Sequence, residues 1–200
     1  MEVPHSASDD LGRPAVLIPL RSLSAGKFRL QKSLDQSARA ALITSMATSV
    51  LNAARDLDVL IVYEDPNVVP WAQERGAQVF KPSAPGLNLA VSQGRDFLRV
   101  HGFSSVIIAH GDLPHAVDLR VMIANEPVSI APDRHREGTN VLRVPTDIDF
   151  TFAYGPGSFA AHCTVARELG FEPRIIDSPD LAWDVDTPND LISDHLLESE

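Results

Sequence analysis

The 200-residue chain has a single cysteine, Cys163. One thiol excludes an internal disulfide and a cysteine-rich zinc site, and we interpret Cys163 as a small buried apolar residue rather than a nucleophile. No apolar run approaches the ~20 residues that a membrane span needs. The N-terminal segment MEVPHSASDD is polar and acidic, unlike a signal peptide. We therefore expect a soluble, cytoplasmic protein with no membrane partner.

Positive charge is scarce, with 17 Lys and Arg against 27 Asp and Glu and a net charge of −10. Nucleic-acid binding requires clustered Lys and Arg, so this composition argues against a nucleic-acid partner. A small phosphorylated ligand stays compatible, because it needs only a few local cations and backbone amides. The apolar content of 44 % is that of a globular protein.

Short apolar runs alternate with segments of helical periodicity. Strands are predicted at 15–20, 58–63, 77–82, 104–110, 128–133, 139–145 and 172–177. Helices are predicted at 36–55, 65–76, 86–102, 118–126, 158–170 and 187–197, with Asp65, Ser158 and Thr187 as N-caps. This alternation is typical of an α/β fold with a mostly parallel sheet, in which 139–145 runs antiparallel. We expect a flexible tail over 1–13 and one domain over 14–200.

Ligands of such sheets lie beyond the C-terminal ends of the strands, which directs attention to the segments that follow them. RSLSAGKFRL, after the first strand, carries Arg21, Lys27 and Arg29 among small residues. It suits a phosphate-binding loop, although its spacing is not that of a Walker motif. A solvated basic loop is the alternative.

Carboxylates follow two further strands or extended segments. Asp112 in HGDLPHA suits a Mg²⁺ ligand or a turn residue, and the flanking His110 and His115 suit general bases or, more commonly, surface or cap positions. Asp184 and Asp186 in LAWDVDTPNDL share one face of an extended strand and repel each other unless a cation or proton lies between them. A divalent metal explains this pair, and so does a helix cap beside a solvated aspartate.

Two polar loops are further candidates. In APDRHREGTN, the fork of Arg134 suits a carboxylate or phosphate, or else a hairpin loop with an internal Asp133–Arg134 pair. In FAYGPGSFAAH, Gly155 and Gly157 before a helix allow a phosphate to approach free amides. A plain turn with Ser158 as N-cap is the alternative.

Six segments in order give the chain a family resemblance across residues 18–191: IPLRSLSAGKFRL, PGLNLAV, GDLP, APDR…GTN, FAYGPGSFAAH and DVDTPNDL. Together they resemble the 2-phospho-L-lactate and phosphoenolpyruvate guanylyltransferases of deazaflavin coenzyme biosynthesis, within the molybdopterin-guanylyltransferase-like nucleotidyltransferase superfamily. The resemblance implies a single-domain, three-layer α/β/α nucleotidyltransferase fold with a mixed sheet. It also implies transfer of GMP from GTP to the phosphate of a three-carbon phosphoacid, release of pyrophosphate, and Mg²⁺ as cofactor.

The resemblance assigns three groups of site residues. Those implied for Mg²⁺ are Asp112, Asp184 and Asp186. Those implied for the acceptor acid are Thr139, Gly155 and Ser158. Those implied for GTP are Lys27, Arg29, Gly86 and Asn88. Lys27 and Asp112 are the implied catalytic residues, because two anionic substrates require charge neutralisation more than a general base.

The chain departs from the family pattern at Arg21, where relatives often have lysine, at His110, and at Arg136 and Glu137 in a loop that is commonly rich in glycine and threonine. These departures leave phosphoenolpyruvate, 2-phospho-L-lactate and 3-phospho-D-glycerate open as acceptors, and we expect phosphoenolpyruvate. The alternative functions are another nucleotidyltransferase, an Asp-x-Asp glycosyltransferase with a nucleotide-sugar donor, and a non-catalytic nucleotide-binding regulator. Oligomeric state stays open, a homodimer included.

Overall fold

The computed structural model describes residues 12–193. Within this range the strands are β1 (Pro14–Leu20), β2 (Asp58–Tyr63), β3 (Gln78–Phe80), β4 (Ser105–Ala109), β5 (Ser129–Pro132), β6 (Thr139–Pro145) and β7 (Arg174–Ile175). The helices are α1 (Gln36–Ala53), α2 (Val68–Gln73), α3 (Leu87–Val100), α4 (Ser158–Glu168), α5 (Pro179–Ala182) and α6 (Pro188–Ser193). Two 3-10 turns lie at Phe28–Leu30 and Leu119–Met122. Residues 1–11 of the tail predicted over 1–13 and residues 194–197 of the predicted final helix lie outside the described residues.

All seven strands form one sheet in the order β3-β2-β1-β4-β6-β5-β7. β6 runs antiparallel to β4 and β5, and the other pairings are parallel, so the prediction of a mixed, mostly parallel sheet is confirmed. The chain places β2 and β3 on one side of β1 and then crosses to place β4 on the other. The crevice at the C-terminal ends of β1 and β4 is therefore the switch point, where ligands of such sheets bind.

Helices cover both faces of the sheet because successive side chains of β1 point to opposite sides. Val16 and Ile18 pack into a buried cluster with α1 and α2, while Ala15 and Leu17 pack with α3 and α4. Gly94 allows α3 to approach closely, since a Cβ there would lie 2.5 Å from a Leu17 methyl. The two clusters are the hydrophobic cores between the sheet and the helices on each of its faces.

Four local expectations were wrong. The helix predicted over 118–126 is only the 3-10 turn Leu119–Met122, since the backbone is already extended at Ile123. The N-cap of α2 is Asn67, whose N–H donates to the Asp65 carboxylate. Ser158 is the first residue of α4, and Gly157 is its N-cap. The segment around Val185 is extended but pairs with no strand of the sheet.

Cys163 is buried in α4, as expected. Among the described residues, none of the helices has both the length and the apolarity needed to cross a bilayer.

Candidate active site

The loop after β1 holds Lys27 in an unusual backbone conformation. The Ser22 hydroxyl accepts the N–H groups of Ser24 and Ala25 and donates to Asp65 at 2.7 Å, which closes the loop. Lys27 has φ 50° and ψ 40°, in the left-handed region that non-glycine residues avoid. Such strain costs of order 1–3 kcal/mol and persists only where surrounding contacts fix it. At Lys27 the surrounding contacts are the ion pairs of its side chain with Asp112 and Asp186.

The Lys27 ammonium lies between two carboxylates. Its Nζ donates to Asp112 Oδ2 at 2.6 Å and to Asp186 Oδ1 at 2.7 Å. Burial opposes the charge on the lysine, which is only 13 % exposed, but the two carboxylates outweigh it and raise the pKa of Lys27. Burial likewise disfavours ionised Asp112, but Lys27 holds the pKa of Asp112 below its usual value. Lys27 and Asp112 are therefore both ionised at neutral pH.

Asp184 is braced by Arg134. The Arg134 Nη1 donates to the Asp184 carbonyl at 3.0 Å and lies 3.6 Å from its carboxylate, while the guanidinium stacks 4.3 Å from the Trp183 ring. Burial, with nearby Asp112 and Asp186, raises the pKa of Asp184. The Arg134 guanidinium thus contacts the carboxylate cluster. It does not form the internal Asp133–Arg134 pair that the sequence left open as an alternative.

Asp190 organises this segment and was missed in the sequence. Its carboxylate accepts the N–H of Asp186 at 2.8 Å and of Thr187 at 2.6 Å, and it pairs with Arg134. Asp190 lies in the first turn of α6, three residues after Thr187, which is the spacing of a capping box. That spacing was the available signal. The contact fixes the backbone that carries Asp186.

Asp184 and Asp186 flank a fully buried Val185, whose N–H donates to the Asp112 carbonyl at 3.3 Å. This hydrogen bond ties the segment to the end of β4. That the two carboxylates share one face stays a prediction, and the segment is not a sheet strand.

The donor chemistry of this cluster suits Mg²⁺, which prefers carboxylate oxygens. Four carboxylates face two buried or half-buried cations, and the buried Asp112 Oδ1 has no hydrogen-bond partner. Over residues 12–193, however, no three acidic, histidine or cysteine side chains form a group ready to hold a metal. The Lys27 ammonium instead lies between Asp112 and Asp186. Mg²⁺ stays a prediction.

A cleft runs from this cluster along the ends of β1 and β2. Two adjoining cavities, of about 200 and 510 Å³, share the residues Pro19, Leu20, Arg21 and Leu87. The smaller is lined by Lys27 and Asp112, and the larger by Glu64 and Gly86. Arg29 is mostly exposed, 3.9 Å from Asp186. The cleft thus connects two of the four residues implied for the nucleotide, Lys27 and Gly86, to Asp112, and Arg29 lies outside its lining.

Asn88, the fourth, contacts the backbone of the loop before α4. Its Oδ1 accepts the Tyr154 N–H at 2.7 Å, and its Nδ2 donates to the Tyr154 carbonyl at 3.2 Å. The side chain therefore joins the start of α3 to the loop that carries Gly155. Its predicted nucleotide contact stays a prediction.

The residues implied for the acceptor lie beside the end of β4, since His110 N–H donates to the Asn140 carbonyl of β6. The Ser158 hydroxyl accepts the Thr139 N–H at 3.0 Å, and both residues are 2 % exposed. Gly155 is exposed, with φ +137°. The structure thus brings Thr139, Ser158 and Gly155 together next to the carboxylate cluster.

His162 completes this network and was missed in the sequence. Its Nε2 accepts the Ala153 N–H at 3.0 Å, so the ring proton is on Nδ1, which lies 3.0 Å from Thr139 Oγ1. Thr139 and Ser158 both accept in these bonds, so each hydroxyl keeps a proton to donate. The signal was the spacing of four residues between Ser158 and His162, which places both on one face of α4.

His110 is neither a surface nor a cap residue. Its Nε2 is buried without a hydrogen-bond partner, its ring lies 5.0 Å from that of Tyr154, and burial lowers its pKa. Arg136 and Glu137 also lie apart from the carboxylate cluster: Arg136 pairs with Asp177 at 2.5 Å, and the Glu137 carbonyl accepts a backbone N–H of α4. Arg136 and Glu137 therefore shape the loop before β6.

The fold defines the class of protein. CMP:2-keto-3-deoxy-manno-octonic acid synthetase, solved with CTP, superposes with a TM-score of 0.61 at 14 % identity over 93 % of this chain and 98 % of that one. The chain therefore has the α/β fold of nucleotidyltransferases, as expected. Within this class, residues 14–197 match the family described as "Guanylyl transferase CofC like", and the chain belongs to it.

Curated relatives agree with this assignment. The phosphoenolpyruvate guanylyltransferase of Sphaerobacter thermophilus is 38 % identical over 186 residues, which cover 88 % of this chain and 89 % of that protein. The 2-phospho-L-lactate guanylyltransferase of Methanocaldococcus jannaschii is 30 % identical over 182 residues, covering 88 % and 80 %. The predicted guanylyltransferase family is confirmed, and the glycosyltransferase and regulator alternatives gain no support.

Proposed function

We propose that this protein transfers GMP from GTP to the phosphate of phosphoenolpyruvate and releases pyrophosphate, as a step in deazaflavin coenzyme biosynthesis. The observation that carries the proposal is the Lys27 ammonium held between Asp112 and Asp186 at the switch point of the sheet. The higher identity to a phosphoenolpyruvate guanylyltransferase favours that acceptor. 2-Phospho-L-lactate is the second candidate, because another relative is named for it.

In this reaction an oxygen of the acceptor phosphate attacks the α-phosphorus of GTP. A new P–O–P bond forms, the bond between the α-phosphorus and the bridging oxygen breaks, and pyrophosphate leaves with that electron pair. The acceptor oxygen is already an anion at neutral pH, so no general base is required. The chain must instead bring two polyanions together, and that is an electrostatic task.

Lys27 is suited to this task because its carboxylate partners keep it protonated. In the proposal, Lys27, Arg29 and Gly86 face GTP. The carboxylates of Asp112, Asp184 and Asp186 would hold Mg²⁺, which when bound neutralises phosphate charge.

Thr139, Gly155 and Ser158 face the acceptor in the same proposal. In the proposal the buried hydroxyls of Thr139 and Ser158 donate their protons to its carboxylate or phosphate, since His162 and a backbone amide occupy the acceptor side of each hydroxyl. Gly155 exposes its backbone at the same place.

The test is pyrophosphate release by the purified protein with Mg²⁺ and GTP, run separately with phosphoenolpyruvate, 2-phospho-L-lactate and 3-phospho-D-glycerate. We expect release with phosphoenolpyruvate, and a product whose mass equals that acid plus a GMP moiety. Release only with 2-phospho-L-lactate would replace the acceptor and keep the reaction. No release with any acid, while GTP binds, would reject guanylyl transfer.

A further inference from the structure

The larger cavity of the cleft has a volume and a lining that suit a nucleotide base. Its volume is about 510 Å³, and most of its lining is apolar, from the ends of β1 and β2 and from Pro82, Pro85 and Ala90. Glu64, directly after β2, is the carboxylate in this lining. A mostly apolar cavity with a few fixed polar groups is the usual form of a specific ligand site.

Glu64 is held in place at both oxygens. Its Oε1 accepts the Gly86 N–H at 3.3 Å, and its Oε2 pairs with Arg21 Nε at 3.0 Å. Gly86 presents this N–H from a backbone with φ +130°, which favours glycine. A carboxylate offers about four acceptor positions, so roughly two stay open for a ligand. The Glu64 side chain is 29 % exposed and so remains reachable.

The position of the cavity matches a nucleotide that spans the cleft. It shares Pro19, Leu20 and Leu87 with the smaller cavity, in which Lys27 and Asp112 lie. A nucleotide whose base occupies the larger cavity would therefore have its phosphates directed toward the smaller cavity. This step rests on the function proposed above.

We propose that Glu64 is the residue that selects guanine. Guanine carries two neighbouring donors on its Watson–Crick edge, N1–H and the 2-amino group, which pair with the two oxygens of one carboxylate. Adenine and cytosine present a ring-nitrogen acceptor at the corresponding place, which a carboxylate repels. A site built to accept hydrogen bonds rejects an analogue that lacks the donor, or that places an acceptor there, because its own polar group is then left unpaired.

The test compares GTP with ITP, which keeps N1–H but lacks the 2-amino group, and with ATP. Binding to the full-length protein is measured by calorimetry without any acceptor acid. The result is therefore valid even if the proposed acceptor is wrong. A hydrogen bond to a charged group contributes about 1.5–3 kcal/mol, so wild type should prefer GTP over ITP by about 10- to 150-fold. Equal affinity for GTP and ITP would overturn the proposal.

The variant Glu64→Gln replaces one acceptor oxygen by a donor. We expect it to weaken GTP binding about tenfold or more, to affect ITP much less, and so to collapse the GTP-to-ITP ratio toward one. Glu74→Gln, the same change at an exposed position after α2, should keep the wild-type ratio. An equal loss for GTP and ITP in folded Glu64→Gln would show that the carboxylate does not contact the amino group, and would reject the assignment. The wild-type ratio decides the question if the variant fails to fold.

Discussion

The two sides of the candidate site are built from different interactions. The charged side consists of Lys27, Asp112, Asp184 and Asp186. The neutral side consists of Thr139, Ser158 and His162. On the charged side, ion pairs hold a strained lysine backbone, and Asp186 is 48 % exposed. On the neutral side, every named residue is 2 % exposed or less and bonded through neutral groups.

This difference corresponds to two separate tasks. Neutralising phosphate charge needs ionised groups near solvent. There a ligand can replace an internal ion-pair partner such as Lys27. Positioning a small acid needs donors that do not move, and buried neutral hydrogen bonds provide them. Substitutions on the charged side should therefore reduce turnover most, and those on the neutral side should act through stability and acceptor binding.

The largest effect is expected for Asp186→Asn. The change keeps the size of the side chain but removes a charge proposed to hold Mg²⁺ and a partner of Lys27, so kcat should fall about a thousandfold or more. The protein should stay folded, because Asp186 is half exposed and Lys27 keeps Asp112. Pyrophosphate release and circular dichroism measure the two quantities. Asp56→Asn, an exposed position before β2, should leave kcat unchanged, and near-normal turnover in Asp186→Asn would remove that residue from the metal site.

Lys27→Met should lower kcat by about a hundred- to a thousandfold, the usual cost of losing one preorganised electrostatic group. It also leaves the Asp112 carboxylate without its cation, so the free energy of unfolding should fall by about 1–3 kcal/mol in urea titrations. Lys27→Arg keeps the charge and should recover part of both losses. A Met variant as active as wild type would contradict the role of the ammonium.

Asp190→Asn tests whether the charged side needs its internal support. Both the Asp186 and Thr187 N–H groups donate to one carboxylate oxygen, so the amide oxygen can still accept them, but the amide NH2 then faces Arg134 and no longer balances its charge. We expect about a tenfold loss of kcat and a drop of about 1–3 kcal/mol in the free energy of unfolding. Asp149→Asn, at an exposed position after β6, serves as the control and should change neither quantity. A loss of stability without any loss of kcat would limit Asp190 to folding.

The main strands and the longer helices could be predicted because their signals are local. Runs such as SSVIIAH bury both faces of a strand, and α1 keeps helical spacing over eighteen residues. The short α5 has no period to detect, and the segment over 118–126 has an apolar pattern typical of a helix but becomes extended at Ile123. Helix caps were misplaced by one or two residues, because Asp, Ser and Asn can each satisfy the same amides in several positions.

In the site, Lys27, Asp112 and Asp186 were predictable as neighbours because each follows a strand or extended segment that ends at one edge of the sheet. Asp190, His162 and Glu64 were missed for a common reason. Asp190 and His162 contact other protein groups, and Glu64 lies at the end of β2, where no cluster of polar residues marked it. Apart from the nearby N–H groups that Asp190 accepts, their partners lie 9 to 56 positions away and become visible only in three dimensions.

The smallest expected effect is a pH dependence of stability that comes from the neutral side. Burial, with a smaller contribution from His110, lowers the pKa of His162 to about 4, whereas in the unfolded chain it is about 6.5. Between these values the unfolded chain binds a proton that the folded chain does not. The free energy of unfolding should therefore fall as the pH drops from about 6.5 to 4, by up to about 1.4 kcal/mol per pH unit from this group.

His162→Gln cannot titrate, so the difference in pH slope between wild type and this variant isolates His162 from other groups such as His110, whose pKa is also lowered by burial. The glutamine oxygen can still accept the Ala153 N–H, but the Thr139 hydroxyl loses its fixed donor, so KM for the acceptor should rise a few-fold while kcat changes little. Urea titrations from pH 7.5 to 4 and acceptor kinetics measure the two effects, with His101→Gln on α3's exposed end as the control. Identical slopes in wild type and His162→Gln would mean that His162 is already protonated in the folded chain. The neutral side would then carry a charge, and its contrast with the charged side would not hold.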